Sequence, residues 1–236
     1  MINKLQKEEI KNLYNKGYSL TKIQNKLKIS RQWISKYLKS QNIKVINKQN
    51  IGKFNINYFN KINNEEKAYW LGFLYADGSV SKNNNTVELS LCLKDYNKIL
   101  KYKKALDSKL KVKKDFFRCM LSLTKKEFKN SLINLGCIPN KSLKLKFPNN
   151  NQLPNKYVKH FIRGYFDGDG HLRYYGNNKR PMFILLGTKE FLETIINLTN
   201  LPYNIKKDKR HKNNTYFISY YGINAISFLN FICIFF

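Results

Sequence analysis

The chain has 236 residues, of which 44 are Lys or Arg and 15 are Asp or Glu, so its formal net charge is +29. This excess predicts a polyanionic partner, and we expect double-stranded DNA rather than a membrane, because no run of about 18 apolar residues appears. A hydrophobic content of 42% is enough for a globular core and argues against intrinsic disorder.

The cysteines are scattered and form no CxxC pair; they are Cys92, Cys119, Cys137 and Cys233. We interpret them as reduced thiols of an intracellular protein rather than zinc ligands or a disulfide framework. The polar start, MINKLQKEEIKNLY, shows no secretory signal. Abundant Asn, Lys, Ile and Tyr are typical of an AT-rich genome. The expected location is therefore the cytoplasm or nucleoid of a bacterium or phage-infected cell, or an organelle with such a genome.

Residues 1–42 are predicted to form three short helices. The segment KEEIKNLYNKG has apolar residues at helical spacing and closes on Gly17, a residue type that often follows a helix end. Ser19 and Ser30 are the predicted N-caps of the next two helices, in SLTKIQNKL and SRQWISKYLKS. Two short helices, a turn and a third helix resemble a helix-turn-helix module.

The third helix is the predicted DNA-contacting element of this module. Trp33, Ile34 and Leu38 are expected to lie in the core. The remaining positions carry groups that can contact base edges or phosphates: Arg31, Gln32, Ser35, Lys36 and Lys39. The alternative is a small three-helix packing unit with a solvated basic face. We favour DNA binding because the rest of the chain indicates the same partner.

Residues 43–62 lack a steady period, are rich in Asn and Lys, and are predicted to be a linker. Residues 63–143 are predicted to be the first of two similar halves. They contain a helix in EEKAYWLGFLYADG, a strand in VELSLCL and an amphipathic helix in DYNKILKYKKALDS. One or two strands follow in KLKVKKDFFRCMLSL, and the helix in TKKEFKNSLINLG ends on Gly136.

The stretch CIPNKSLKLKFPNN, with LPNKY after it, carries three prolines, and residues 144–156 are taken as the linker between the halves. Residues 157–236 are the predicted second half. It begins with a helix in KYVKHFIRGYFDGDG, then strands in HLRYYG and PMFILLG and a helix in KEFLETIINLTN. Strands in YNIKKDKR and NTYFISYYG precede a closing helix in INAISFLNFICIFF. Each half is thus helix, two strands, helix, two strands, helix, an α+β arrangement.

The first helices of the two halves carry a repeated motif, WLGFLYADG over 70–78 and IRGYFDGDG over 162–170. Four pairs of residues match: Gly72 with Gly164, Ala76 with Gly168, Asp77 with Asp169, and Gly78 with Gly170. The small residues are four apart, so each helix has a face without large side chains, and the two helices can pack backbone to backbone.

This packing would bring the carboxylates of Asp77 and Asp169 together at two helix C-termini. Negative charge is unfavourable at that end of a helix, and two carboxylates in one place repel each other. A hard divalent cation would relieve both effects, and Mg²⁺ bridging carboxylates and phosphates is the usual choice. The motif pair therefore predicts a magnesium site.

The motifs LGFLYADG and IRGYFDGDG resemble those of the LAGLIDADG (DOD-type) homing endonucleases, in the single-chain form with two copies. The flanking EEKAYW and IPNKS and the order of strands and helices extend the resemblance over about residues 63–230. It implies two pseudo-symmetric αββαββα half-domains in a monomer, joined by the motif helices, with two sheets that form a saddle over the DNA major groove.

The resemblance also implies the site residues. Asp77 and Asp169 would be the catalytic, metal-binding acids, each cutting one strand with metal-activated water, and Gly78 and Gly170 beside them are assigned to the same metal site. Lys125, between a strand and a helix of the first half, is the candidate for holding water and phosphate. The matching place in the second half, near Ile223 and Asn224, has no lysine.

Residues around the second motif have less specific interpretations. Asp167 aligns with Tyr75 and reads as a solvated or capping acid, and His171 as a surface or strand residue. Five residues of the second sheet and its hairpin are predicted to bind DNA, mostly through phosphates: Arg173, Tyr175, Lys206, Lys209 and Arg210. A one-residue register error would move all strand residues to the other face, so the sequence leaves the groove-facing set open.

The last helix stops at FLNFICIFF, an apolar end, whereas that of the family continues into a basic segment. We expect a truncated C-terminus that exposes Phe231, Ile234 and Phe236. The predicted function is a site-specific, magnesium-dependent DNA endonuclease that supports intron or intein mobility. Two alternatives stay open: a non-cleaving transcription regulator, and an RNA maturase that assists intron splicing.

Overall fold

The computed structural model of the chain describes residues 2–43, 45, 53–175, 180–209 and 215–232. The predicted DNA contact at Arg210, the fourth cysteine, and Ile234 and Phe236 of the predicted exposed tail lie outside the described residues. Phe231, which was expected to be exposed, is half-buried and packs against the core. The chain forms two compact units, Met1–Gly52 and Lys53–Phe236.

The first unit contains α1 (Lys4–Asn15), α2 (Leu20–Leu27) and α3 (Arg31–Ser40). The predicted capping serines are confirmed, since Ser19 Oγ accepts a hydrogen bond from Lys22 N and Ser30 Oγ accepts one from Trp33 N, both at 3.3 Å. Its own small core contains Ile10, Leu13, Tyr14, Ile23, Ile29, Ile34 and Leu38.

The second unit holds two halves with the same order of elements. The first half contains α4 (Glu65–Asp77), β1 (Gly78–Val80), β2 (Thr86–Cys92), α5 (Tyr96–Ala105), β3 (Lys113–Lys114), β4 (Arg118–Thr124) and α6 (Lys126–Asn134). The second half contains α7 (Val158–Asp169), β5 (Gly170–Tyr175), β6 (Arg180–Gly187), α8 (Lys189–Thr199), β7 (Ile205–Lys207), β8 (Tyr216–Tyr221) and α9 (Ile223–Ile232). The predicted α+β class with two αββαββα halves is confirmed.

Each half forms a four-stranded antiparallel sheet, ordered β1-β2-β4-β3 in the first and β5-β6-β8-β7 in the second. The registers also correspond: Gly78 pairs with Leu89, which pairs with Leu121, and Gly170 pairs with Leu185, which pairs with Ile218. Burial alternates along β2 and β4, so one face of the first sheet lies on the core and the other is open.

The predicted linker over residues 43–62 differs from the structure in its second part. Phe54, Tyr58, Phe59 and Ile62 are buried in the core of the second unit, and the rings of Phe54 and Phe59 pack against the ring of Phe128. These apolar residues do not recur at a helix or strand period, because the segment is irregular. Periodicity therefore gave no sign that they are core residues.

The junction between the halves is packed as well. Leu145 and Leu153 are buried, and the carbonyl oxygen of Leu145 accepts a hydrogen bond from Thr188 Oγ1 at 2.6 Å. Residues 141–143 form a single turn of 3-10 helix. Over the described part of the chain, every helix is too short or too polar to cross a bilayer.

Candidate active site

Helices α4 and α7 form the interface between the half-domains. A Cβ atom added at Gly72 would lie 1.9 Å from the carbonyl oxygen of Phe161, and one added at Gly164 would lie 1.9 Å from that of Tyr69. The contacts are reciprocal, since each glycine meets the carbonyl three residues before the other glycine. Backbone thus packs on backbone, as the small residues of the motifs predicted.

The same packing brings the C-terminal ends of the two helices together. A Cβ atom added at Gly168 would lie 2.4 Å from Cβ of Ala76 and 3.2 Å from Oδ2 of Asp77. The Asp77 carboxylate therefore lies against the residue that precedes Asp169. Both aspartates are half-buried.

This environment disfavours the ionised form of both acids. Burial, and next the charge of Asp169, raise the pKa of Asp77 to about 6, while Lys141 acts in the opposite direction. Burial also raises the pKa of Asp169, and Lys141 and the Tyr165 hydroxyl oppose this rise. The two carboxyls thus form a coupled pair that a further positive charge would stabilise.

Lys141 is a site residue that the sequence analysis did not select. Its Nζ donates hydrogen bonds to the carbonyl oxygens of Ala76 at 2.9 Å and Gly78 at 2.6 Å, at the end of α4. The bond to Ala76 satisfies a carbonyl that the end of the helix leaves without an intrahelical partner, and the two bonds place the ammonium near both acids. The lysine lies 64 positions after Asp77 in the sequence, within a proline-containing loop, and only its place in the quoted IPNKS segment could have drawn attention to it.

The residues at this site fit a magnesium ion. Lys141 is the cation that lowers the pKa of both half-buried carboxyls, and one positive charge does not balance two carboxylates next to two helix C-termini. Among the described residues, no group of three or more His, Cys, Asp or Glu could hold a metal ion. Mg²⁺ commonly takes one or two carboxylates and completes its shell with water and phosphate oxygens, which is the donor set available here.

The two glycines assigned to the metal site have a packing role. A Cβ atom added at Gly78 would lie 2.5 Å from the carbonyl oxygen of Leu74, and one added at Gly170 would lie 2.3 Å from that of Phe166. The Gly78 carbonyl oxygen already accepts the bond from Lys141. Metal binding by either glycine stays a prediction.

Lys125 lies at the N-cap position of α6, directly after β4, and is half-buried. The lysine whose charge shifts the pKa of Asp77 and Asp169 is Lys141. The catalytic role of Lys125 therefore stays a prediction. In the second half, the residue directly before α9 is Gly222, so that place has no lysine.

Asp167 is exposed, as expected of a solvated acid, but it also has defined partners. Its carboxylate pairs with Lys98 Nζ at 2.8 Å and accepts a hydrogen bond from the Tyr69 hydroxyl at 2.6 Å. Lys98 also donates to the Tyr69 hydroxyl at 2.7 Å. This cluster ties α7 of the second half to α4 and α5 of the first, and Tyr75, which matches Asp167 in the motif, packs against Phe161 instead.

The register fixes which residues of the second sheet lie on its open face. His171 pairs with Ile184 and Arg173 with Met182, whereas Phe183 and Leu185, which alternate with these β6 residues, belong to the core cluster. Three residues predicted to bind DNA share this open face: Arg173, Tyr175 and Lys206. Lys209 is exposed just after β7.

In the first unit, α3 buries Ile34 and Leu38 and half-buries Trp33, whose ring stacks on Tyr37. The residues predicted to contact DNA lie on its other side, where Arg31, Gln32, Lys36 and Lys39 are exposed and Ser35 is half-buried. DNA binding by these residues stays a prediction.

Comparison with solved structures identifies the fold. The chain is similar to the LAGLIDADG homing endonuclease I-GzeII in complex with a DNA target, with 11% identity, a TM-score of 0.50, and coverage of 71% of this chain and 84% of that one. It is equally similar to the meganuclease I-SmaMI bound to uncleaveable DNA, with 12% identity, a TM-score of 0.50 and the same coverages. The second unit therefore has the LAGLIDADG fold in its single-chain form with two half-domains.

Comparison of sequences is less informative. No family model matches the chain. A probable translation initiation factor IF-2 of Methanocaldococcus jannaschii is 29% identical over 170 residues, which are 65% of this chain and 14% of that protein. The chain thus spans about one seventh of this curated relative, and the similarity transfers no function.

Proposed function

We propose that the protein is a site-specific, metal-dependent DNA endonuclease of the homing type. The observation that carries the proposal is the pair of half-buried acids, Asp77 and Asp169, at the ends of two helices whose glycines meet each other's backbone. A purely structural interface gains nothing from two acids with raised pKa values, since burial without a counter-ion costs free energy.

The chain's own residues divide the chemistry between them. Asp77 and Asp169 would hold the metal, which when bound supplies an activated water and offsets the negative charge of the scissile phosphates. Lys141 keeps the pKa of both acids lower than burial alone would, which favours the ionised form that binds a metal. An ammonium has three N–H donors, and its bonds to Ala76 and Gly78 use two of them.

Duplex DNA would bind across the open faces of the two sheets. Arg173 and Lys206 on the second sheet supply positive charge there, and the chain's net charge of +29 supplies the long-range attraction. The matched halves place one acid on each side of a pseudo-two-fold axis, which suits the two antiparallel strands of a duplex. We further propose that Lys125 contacts phosphate and that α3 of the first unit adds base and phosphate contacts.

The test is cleavage of a supercoiled plasmid in which the sequences flanking this gene are joined, with Mg²⁺ or with a chelator. Asp77→Asn and Asp169→Asn keep the side-chain shape but remove the anionic ligand. Each should lower cleavage by about 100-fold or more, because loss of a ligand to an essential metal removes several kcal/mol of transition-state stabilisation. Binding of the same DNA in chelator should persist.

The matched control is Asp107→Asn, an exposed acid outside the site whose positive φ of 46° asparagine tolerates. It should cut like the unaltered chain. Full cleavage by the double variant, or cleavage in chelator, would contradict the proposal. DNA binding without cleavage under any divalent metal would favour the regulator, and tight binding of intron RNA alone would favour the maturase.

A further inference from the structure

The turn between β3 and β4 carries an apolar tip that the proposed site does not use. Phe116 and Phe117 are 93% and 78% exposed, and Phe116 is the most exposed of the large hydrophobic residues that the structure describes. Adjacent exposed phenylalanines are unfavourable in water, and an aromatic pair at a hairpin tip is typical of a contact surface.

The tip is held in a defined shape. Asp115 Oδ1 accepts hydrogen bonds from Phe117 N at 2.9 Å and Arg118 N at 2.7 Å, and these bonds lower the pKa of its carboxyl. The backbone of the turn is closed by Asp115 N to Arg118 O at 2.9 Å, and Leu93 N donates to Phe117 O at 2.8 Å. A preorganised tip loses little conformational entropy when it binds a partner.

Positive charge surrounds the two rings. Lys113, Lys114 and Arg118 flank them in sequence, and Lys114 Nζ lies 3.4 Å above the Tyr96 ring at the base of the turn. Lys113 pairs with Met120, which lies with Arg118 on the open face of the first sheet. The aromatic pair thus lies between basic residues, of which Lys113 and Arg118 are on the face where a polyanion would bind.

The tip also lies at the same end of the first sheet as Asp77, the last residue of α4. Gly78, directly after Asp77, is level with Leu121 of β4, and the tip is four to five residues before Leu121 and two strands across. Strand geometry puts it about 15–20 Å from Gly78, which corresponds to about five base pairs of duplex.

The matching turn of the second half has a different sequence. The β7–β8 connection, residues 208–215, reads DKRHKNNT and contains no Phe, Tyr or Trp. The two ends of a pseudo-symmetric protein therefore offer different chemistry to the two half-sites of a DNA target.

We propose that Phe116 and Phe117 form a wedge that enters a groove of duplex DNA about five base pairs from the cleavage centre and unstacks a base step there, in one half-site only. Apolar side chains flanked by Lys and Arg bend DNA in this way, most easily at flexible pyrimidine–purine steps. The wedge sets the orientation of the protein on its target. This inference rests on the proposed function, since it takes DNA as the partner.

The test uses the full chain in chelator, where no cleavage occurs, and a short duplex that the unaltered chain selects from a random pool. 2-Aminopurine, whose fluorescence rises on unstacking, is placed at single steps along both half-sites. The unaltered chain should brighten a step on one side only. Phe116→Ala with Phe117→Ala should abolish this signal and weaken binding by about tenfold or more, with an unchanged salt dependence because no charge is lost.

Two controls separate the wedge from general effects. Lys113→Ala should lower the salt dependence by about one phosphate contact while keeping the 2-aminopurine signal. Tyr203→Ala removes a 65% exposed ring ahead of β7, at the end of the second sheet opposite the β7–β8 connection, and should change neither quantity.

Equal affinity and equal fluorescence for the double phenylalanine variant would overturn the wedge while leaving the endonuclease intact. Failure of the unaltered chain to select any duplex would overturn both. If the rings instead mediate binding to vesicles of phosphatidylserine and phosphatidylcholine, with DNA binding unaffected, the tip contacts membranes and the inference is wrong.

Discussion

Lys141 holds the end of α4 and the acid pair at the same time. Its ammonium bonds to the carbonyls of Ala76 and Gly78, and its charge lowers the pKa of both Asp77 and Asp169 against the effect of burial. A lysine with only a structural role would bond to the carbonyls without affecting the acids. A lysine with only an electrostatic role would shift the pKa of the acids without bonding to the helix end. Because one side chain does both, its removal has a measurable electrostatic signature.

Stability in chelator should depend on pH through Asp77. Its pKa is about 6 in the folded chain and 3.8 for an unperturbed aspartate, which stands for the unfolded chain, so the folded state binds more protons between these values. The free energy of unfolding should therefore fall as the pH rises through that range and stay low above it. Lys141→Met should raise the pKa of Asp77 further, and the fall should then extend above pH 6.

The measurement is urea unfolding in chelator over a pH series. Lys141→Arg keeps the charge and should behave like the unaltered chain, and Asp77→Asn should reduce the pH dependence in this range and leave the contribution of Asp169. Identical pH profiles for the unaltered chain and Lys141→Met would show that the lysine does not act on the acids.

The acids could be predicted from sequence and the lysine could not, for a physical reason. Asp77 and Asp169 stand in a local motif that repeats, and the small residues before them imply that their helices meet. Lys141 reaches the site through the path of an irregular loop, and Lys98 reaches Asp167 from another helix. Such contacts are set by tertiary packing, which no local spacing records.

At the scale of elements, the interface between α4 and α7 fixes the distance between the acids. Gly72 and Gly164 are each in contact with a backbone carbonyl of the other helix, and a carbonyl cannot move aside as a side-chain end can. The helices themselves, their caps and most strands follow from periodicity. The three-residue strand β1 and the core segment at 53–62 do not, because one is too short for a pattern and the other has none.

Gly72→Ala and Gly164→Ala should each destabilise the protein by about 1–3 kcal/mol or more, because the added methyl overpacks a backbone contact. Both should also lower cleavage, since the acids move apart. Urea unfolding and plasmid cleavage measure the two effects. Gly187→Ala is the matched control, since its methyl would meet side-chain atoms of Leu192 and Phe191 at 3.3 Å, which can shift. Equal losses in all three variants would argue against a special role for the helix interface.

At the scale of the whole molecule, the chain combines two units with separate cores. The first has its own buried cluster around Ile10, Ile23 and Ile34. The core of the second begins at Phe54, and its backbone is bonded there through Lys109 N to Lys53 O at 2.7 Å and Asn55 N to Leu106 O at 2.8 Å. The second unit should therefore need the chain from about residue 53 onward to fold, and not only the chain after residue 62, where the predicted linker ends.

Deletion of residues 1–52 should leave a folded second unit with weaker DNA binding and a smaller salt dependence, because the phosphate contacts proposed for Arg31, Lys36 and Lys39 are lost. Alanine at these three positions in the full chain should reproduce the loss of salt dependence.

Deletion of residues 1–62 should instead unfold the second unit, because it also removes Phe54, Tyr58, Phe59 and Ile62 from the core. Circular dichroism, thermal melting and binding over a salt series compare the variants. Unchanged affinity after the shorter deletion would remove DNA binding from the first unit, and a stable fold after the longer one would return residues 53–62 to the linker.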